Sequence, residues 1–553
     1  MDILARWREA GRWWEGEPPL EVIQYRDAKG IKREKTRELP PFHTPLSGRV
    51  DAVDHREDYI LRPRKTRDEK VAIACGLIKS PGVIPVHRAR ESYVSLHVYS
   101  GYSFGKSTLF ARELPRRAAD LGLPAMALTD WMSLAGVMEF AHEARNVGIT
   151  PLIGATVEME EGGHLVIIAQ TSNGYRALSR LITQCHLSQP RLFPLCSWDF
   201  LEAFAEDWLI LTGGDGGWIN LPLVRRDHAI AEERLLRLIS LVGRERLLIS
   251  IERSAVPWEI MVNEVLLGLA TRHHLRCVAA SAITHAHRDN FPSQDILVCA
   301  ETLCTVEELI GRKPQRHPSQ LAVASRPQRA FNGERFLRSP DEFNRLYADH
   351  PELIDNTHLV TEMVESWVLP PRAELPWLTD DPAEALRFAV QRGAEERHKK
   401  MNHRLKMRLG HEVDRIINLG FAHHFLVAWE LCEWAKREGI LLSGRGSVVD
   451  SAVAYCLGMS RIDAFAHGLH FDRFLPADGS KRPDIDIDFE AARRDDVRNH
   501  LIKRFGADHV ANVGAFGAYC SRGIIRAVGK AMGLDQAALG FLAKRVHMGV
   551  APD

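Results

Sequence analysis

The chain has no run of about 18 apolar residues, so no membrane-spanning helix is expected. Cysteine is scarce: nine in 553 residues, none in a CxxC pair, with Cys299 and Cys304 the nearest approach. A disulfide frame and a structural zinc site are therefore not expected, and the thiols are read as reduced in a cytoplasmic protein. The opening MDILARWREAGRWWEGE is too charged and broken for a secretory signal. Neither sign of charge is in excess, with 72 Lys and Arg against 72 Asp and Glu. Bulk attraction of nucleic acid is thereby excluded, whereas a local basic surface is not. Internal repeats and low-complexity tracts are also missing. What is present, 45% hydrophobic and 26% charged residues, suits a folded chain. Its length suggests about three or four domains.

Residues 1–90 read as an appendage. They hold Trp7, Trp13 and Trp14, then a small β unit turning at residues 27–30, then a charged run at 55–70 that reads as a solvated face or linker. From Ser92 onward strands and helices alternate. YVSLHVYS, PAMALTD, ITPLIGATVEM, HLVIIAQ, DWLILTG, RLLIS and RCVAAS read as strands, and residues 109–122 and 137–148 as helices. That spacing predicts a parallel α/β architecture, and about seven strands before residue 290 would suit a barrel. Between 290 and 440 the pattern is helical, with a long charged stretch at 384–420 and an apolar amphipathic helix ending at Gly439.

The strongest chemical signal is KRPDIDIDFE at 481–490. On a strand, Asp484, Asp486 and Asp488 would share one face while Ile485, Ile487 and Phe489 point to a core. Carboxylates so close repel unless a cation lies between them, and rigid oxygen ligands suit Mg²⁺ completed by substrate phosphates. Two such ions can activate a hydroxyl and stabilise a leaving pyrophosphate. The competing reading is an acidic edge strand or turn.

GILLSGRGSVVDSAVAYCLG at 439–458 is the second signal. An apolar strand runs into Gly444, Arg445, Gly446 and Ser447, then a helix. Backbone N–H groups of such a turn bind phosphate, with Ser447 and Ser451 adding hydroxyls and Arg445 a charge. By itself the segment could equally be a turn and N-cap. About 40 residues before the carboxylates, it reads as a triphosphate site facing a metal site. Gly101 to Ser107 imitates a P-loop but has three residues between its glycines where four are needed, so ATP binding there is rejected. His97, Asp130, His285 and His287 fall at predicted strand ends, where they are either a metal site or structural residues. The pairs His273–His274 and His423–His424 read as surface or core residues.

Residues 420–458, 468–497 and 510–533 together resemble the bacterial C-family DNA polymerases, the alpha subunit of DNA polymerase III and its error-prone paralogues. YVSLHVYSGYS, LGLPAMALTD and ITPLIGATVEM are similar to that family's N-terminal polymerase-and-histidinol-phosphatase (PHP) domain. The resemblance spans roughly residues 91–550, and SVVDSAVAYCLG is nearer the error-prone branch. RWWEGE is similar to small domains that accompany damage-induced mutagenesis genes. The implied fold is α/β and multidomain: a distorted βα barrel of PHP type, then a polymerase-β-like nucleotidyltransferase palm, truncated in the thumb. The implied domains are 1–90, appendage; 91–290, PHP; 291–509, first part of the palm with a helical insert; and 510–553, start of the thumb.

The resemblance implies that Asp486 and Asp488 are the catalytic, Mg²⁺-binding carboxylates, with Asp484 in support. It implies that Gly444, Arg445, Gly446, Ser447 and Ser451 form the triphosphate loop, with Arg473 a further phosphate contact. Two departures follow. The PHP metal pattern is eroded: HxHS reads His97-Val98-Tyr99-Ser100, TDH reads Thr129-Asp130-Trp131, Thr156 replaces a glutamate, and NDVH reads Ser281-Ala282-Ile283-Thr284 with His285 one place out of register. Only His97 and Asp130 remain, so no PHP metal and no PHP nuclease or phosphatase activity is expected. The third palm aspartate, the fingers and the clamp-binding segment are also not found, and none of Asp495, Asp496, Asp508, Asp535 and Asp553 stands in the third aspartate's context. This chain alone is therefore expected to polymerise DNA poorly. The implied activity is template-directed, error-prone DNA synthesis from deoxynucleoside triphosphates on primer-template DNA. A separate C-terminal polymerase chain, the sliding clamp or mutagenesis proteins are the further partners. The alternative is a non-catalytic scaffold or remnant that binds DNA or partners.

Overall fold

The computed structural model describes strands within residues 20–38, and residues 92–189, 193–311, 329–370, 378–398, 400–479, 481–517 and 519–546. The charged run at 55–70 lies outside them. Two compact units emerge: residues 1–370 with 518–553, and residues 371–517. The core of the first unit reaches Leu369. Near the N-terminus, β1 (Leu20–Arg26) and β2 (Lys32–Glu38) pair antiparallel, Arg26 opposite Lys32; the turn expected at residues 27–30 lies outside the described residues.

The centre of the first unit is a six-stranded sheet in sequential order. Its strands are β3 (Ala125–Trp131), β4 (Thr150–Glu158), β5 (His164–Ala169), β6 (Trp208–Leu211), β7 (Leu247–Ile251) and β8 (Arg276–Ala279). The sheet is mixed, which corrects the parallel expectation: β4–β5 and β5–β6 run antiparallel. Only residues 159–163 join β4 to β5, and a parallel crossover needs about a dozen or more. YVSLHVYS forms isolated bridges rather than a regular strand. Ser95 pairs with Met126 beside one sheet edge and Val98 with Ile283 beyond the other, so this segment joins the two edges. The first helix is also shorter than the sequence suggests. It covers Leu114–Asp120, because Pro115 sits in its first turn, where a missing N–H costs nothing. Strand interiors are buried on both faces and mostly apolar, as expected where side chains are covered on either side.

The second unit is built on three helices, Pro382–Arg397, His403–Asn418 and Ala422–Arg437. The long helical stretch of the sequence breaks at 398–402, where the Asn402 side chain accepts from the Leu405 N–H at 2.8 Å and starts a new helix. Leu386, Leu405, Leu409, Val413, Ile416, Phe425 and Cys432 form its core with Val448 and Val453. On this core lie β9 (Leu442–Arg445) and β10 (Asp486–Phe489), an antiparallel pair. Among the described residues no helix is long and apolar enough to cross a membrane, and the eight described cysteines are free.

Candidate active site

The alternation of Ile485, Ile487 and Phe489 with carboxylates fixes β10: the three apolar side chains pack on the second unit's core. Asp486 and Asp488 are left on the other face, partly and largely exposed. Regular pairing begins at Asp486, so Asp484 lies just before the strand rather than on it. The register sets Asp486 opposite Arg445, Ile487 opposite Gly444 and Asp488 opposite Ser443. From this position the Arg445 guanidinium reaches both carboxylates: Nη1 is 3.7 Å from Asp486 Oδ2, and Nε donates to Asp488 Oδ1 at 3.2 Å. Arg445 is held in its charged form mainly by Asp488, then by Asp486.

Two glycines make this approach possible. Gly446 has φ +67°, and a Cβ there would stand 3.1 Å from Asp486 Oδ2. A Cβ on Gly444 would meet the Met459 carbonyl oxygen at 2.9 Å. After Arg445 the chain makes a 3-10 turn, Gly446–Asp450, and then a short helix, Ala452–Cys456. Gly444, Arg445, Gly446, Asp486 and Asp488 therefore come together, with half-buried Ser447 entering the turn beside them.

The other two predicted contacts, Ser451 and Arg473, are paired with Glu412 and with Asp450 at the end of the turn. Ser451 is fully buried; its hydroxyl donates to Glu412 Oε2 at 2.8 Å and accepts from the Ala454 N–H at 3.1 Å. It caps the helix, and its hydroxyl is spent on that cap and on Glu412. Arg473 is 77% exposed, and its Nη1 lies 3.8 Å from the buried Asp450.

Glu412 is the residue that sequence reasoning missed. Fully buried, it accepts from the Ser451 hydroxyl, from the Ala452 and Val453 N–H groups at 3.2 and 3.1 Å, and from Arg408. It clamps the start of the helix that follows the glycine turn. Its signal was a glutamate on the apolar face Leu405, Leu409, Val413, Ile416 of a strongly amphipathic helix.

A second constellation in this unit resembles a thiol triad. Cys456 Sγ lies 3.8 Å from His398 Nε2, and His398 Nδ1 lies 3.4 Å from Asp463. The thiol is buried and its pKa is pushed up to about 12, so it is not poised as a thiolate nucleophile.

In the first unit, His97 Nε2 lies 2.8 Å from the Tyr99 hydroxyl and 3.3 Å from the Thr156 hydroxyl. Burial keeps this imidazole neutral. Asp130 accepts from the Ser100 N–H, the Ser100 hydroxyl and the Ser103 hydroxyl, each at 2.6 Å. Burial raises its carboxyl pKa while those three bonds oppose the rise. His285 is spent on the Gly333 carbonyl at 3.0 Å, and exposed His287 caps the turn at 288–290. The four groups seen at predicted strand ends are thus each committed locally. Lys106 Nζ sits 3.7 Å from the centroid of the Trp131 ring, and Trp131 Nε1 donates to Glu158. Among the described residues no group of three or more His, Cys, Asp or Glu side chains could hold a metal ion.

The family model described as the bacterial DNA polymerase III alpha NTPase domain matches residues 384–551, and the PHP domain model matches residues 95–254. An error-prone DNA polymerase of Symbiobacterium thermophilum is 35% identical over 476 residues, covering 82% of this chain and 42% of that protein. One from Cutibacterium acnes is 32% identical, covering 80% of this chain and 39% of the relative. The DNA polymerase III subunit alpha of Escherichia coli K12 is 27% identical, covering 80% and 38%. The chain spans about two fifths of the length of these relatives.

Proposed function

The chain belongs to the bacterial C-family DNA polymerases, and on that footing we propose that residues 439–490 supply the metal-binding carboxylates and triphosphate loop of a template-directed nucleotidyl transfer site. The observation that carries this reading is the juxtaposition of Asp486 and Asp488 with Arg445 and the side-chain-free Gly446. In this reading 91–290 is the PHP domain, 291–509 the first part of the palm and 510–553 the start of the thumb. Primer-template DNA and deoxynucleoside triphosphates are the substrates, and error-prone synthesis is the activity. A C-terminal polymerase chain, the sliding clamp and mutagenesis proteins are the proposed partners.

The donor set fits Mg²⁺. Asp486 and Asp488 offer hard, acceptor-only oxygens from a rigid strand, and two carboxylates leave coordination positions for substrate phosphates and water. When bound, the ion would lower the pKa of the primer hydroxyl and shield the phosphates. The chain's own residues do the positioning. Gly446 leaves room for a phosphate beside Asp486 that any side chain would fill. Arg445 offers a planar fork of donors matched to phosphate oxygens, and Ser447 a hydroxyl. Glu412 fixes the helix behind the turn, so the loop does not have to be ordered when substrate arrives.

The first unit is proposed to carry no catalytic metal. Tyr99, Thr156 and Trp131 stand where the family pattern needs strong ligands, and His97 and Asp130 are bonded to their neighbours.

Binding of a fluorescent deoxynucleoside triphosphate, followed by anisotropy with and without Mg²⁺, tests the reading. Asp486→Asn should weaken Mg²⁺-dependent binding by about tenfold or more. Equal binding by the variant and the unaltered chain would contradict the site and favour a non-catalytic scaffold.

A further inference from the structure

We propose that Arg445 is an exchangeable counter-cation: it pairs with Asp486 and Asp488 while no substrate is bound, holds divalent-ion affinity down, and passes to the triphosphate when ion and nucleotide arrive together. The inference rests on the proposed nucleotidyl transfer site and concerns how that site is kept from loading with metal alone.

Register is the first ground. Arg445 is the cross-strand partner of Asp486, so its side chain emerges on the carboxylate face by backbone pairing. Reach is the second. One guanidinium spans both acids, at 3.7 Å from Asp486 Oδ2 and 3.2 Å from Asp488 Oδ1, the oxygens a divalent ion would need. Mobility is the third, since 63% of the Arg445 side chain is exposed and the two ion pairs hold it in high-dielectric surroundings. Such pairs are weak enough to exchange.

The charge arithmetic then orders the events. With Arg445 in place the three groups sum to about −1; with it gone they sum to −2. A divalent ion arriving alone meets a guanidinium already on its ligands and must displace it. A triphosphate is a better partner for a guanidinium than two solvated carboxylates, because it offers bidentate oxygen pairs and more charge. Once Arg445 turns to the triphosphate, both carboxylates are released to the ion. Ion and nucleotide therefore strengthen each other's binding through one side chain, and the effect is reciprocal by linkage.

Manganese binding to the full chain, read from the electron paramagnetic resonance signal of the free ion, tests this without recourse to turnover. Arg445→Ala should bind Mn²⁺ alone about three- to tenfold more tightly than the unaltered chain, the size expected for losing two exposed ion pairs. A non-hydrolysable deoxynucleoside triphosphate should tighten Mn²⁺ binding in the unaltered chain and lose most of that effect in the variant. Unchanged thermal unfolding would establish that the variant is folded, as exposure of the side chain leads one to expect. Mn²⁺ affinity that stays the same or falls in Arg445→Ala overturns the inference. Asp486→Asn separates the two levels. If it weakens Mn²⁺ binding while Arg445→Ala changes nothing, the exchange idea fails and the site stands. If Asp486→Asn binds Mn²⁺ as the unaltered chain does, the site itself is refuted.

Discussion

Replacing Glu412 with alanine is expected to cost the 371–517 unit about 3 kcal/mol and to lower its melting temperature by about 10 °C. The carboxylate is fully buried and receives the Ser451 hydroxyl, two backbone N–H groups and Arg408. Alanine leaves the Ser451 hydroxyl and the N–H groups of 452 and 453 without that acceptor, and each buried unsatisfied donor costs about 1–3 kcal/mol. Arg408 moderates the loss, because it is a quarter exposed and still donates to the Leu469 carbonyl at 2.9 Å. Glu412→Gln keeps one acceptor oxygen and should cost about half as much. Urea unfolding of both variants checks the order Ala worse than Gln worse than unaltered. Equal stability of all three would remove Glu412 as the clamp. Triphosphate affinity should fall in the same order, because the clamped helix follows the turn that carries Gly446 and Ser447.

In the first unit, Arg335→Met should destabilise by about 3 kcal/mol at pH 7.5, and by clearly less at pH 5. Arg335 Nη2 donates to Asp215 Oδ2 at 2.6 Å, and its Nε lies 3.7 Å from Glu252 Oε1. Burial raises the pKa of the Glu252 carboxyl; Arg335 pulls it down and Asp215 pushes it up. Without the arginine its strongest downward influence is gone, and only backbone hydrogen bonds, the Asp215 N–H at 2.6 Å among them, oppose burial and the Asp215 charge. An acid whose folded pKa lies above its unfolded value binds more protons when folded. Its contribution to stability therefore increases as the pH falls toward the unfolded value near 4.5. The deficit of Arg335→Met accordingly narrows on acidification. Urea melts of both proteins at the two pH values measure it, and a deficit independent of pH would show that Glu252 stays ionised in the variant.

Local patterns in the sequence located most of what positions the site. Strict alternation of aspartate with Ile485, Ile487 and Phe489 identified β10 and its buried face. The glycine-flanked arginine identified the turn opposite it. What the sequence did not carry was pairing. Asp486 and Arg445 are some 40 residues apart, and only the antiparallel register makes the guanidinium the partner of the two acids. Glu412 was hidden for a related reason: its three capping contacts lie about 40 residues downstream. Ser451 was read as a ligand because a serine at a helix start can cap or bind, and burial against Glu412 decides for the cap. The parallel expectation fails at β4 and β5 because the strand pattern carries no direction, and the five-residue connection 159–163 is too short for a crossover. At His285 the residue type suggested a ligand, while the Gly333 carbonyl that occupies it comes from far along the chain.

Metal-dependent chemistry is proposed at β9 and β10 and not among the strand ends of the first unit. Iron-directed cleavage tests it most directly: Fe²⁺ replaces Mg²⁺, peroxide and ascorbate are added, and the backbone cuts are mapped by mass spectrometry. Cuts are expected at 444–447 and 484–489, strengthened by a deoxynucleoside triphosphate and lost in Asp486→Asn. Cuts gathered around His97, Asp130 and Thr156, with none at 444–447 or 484–489, would contradict it.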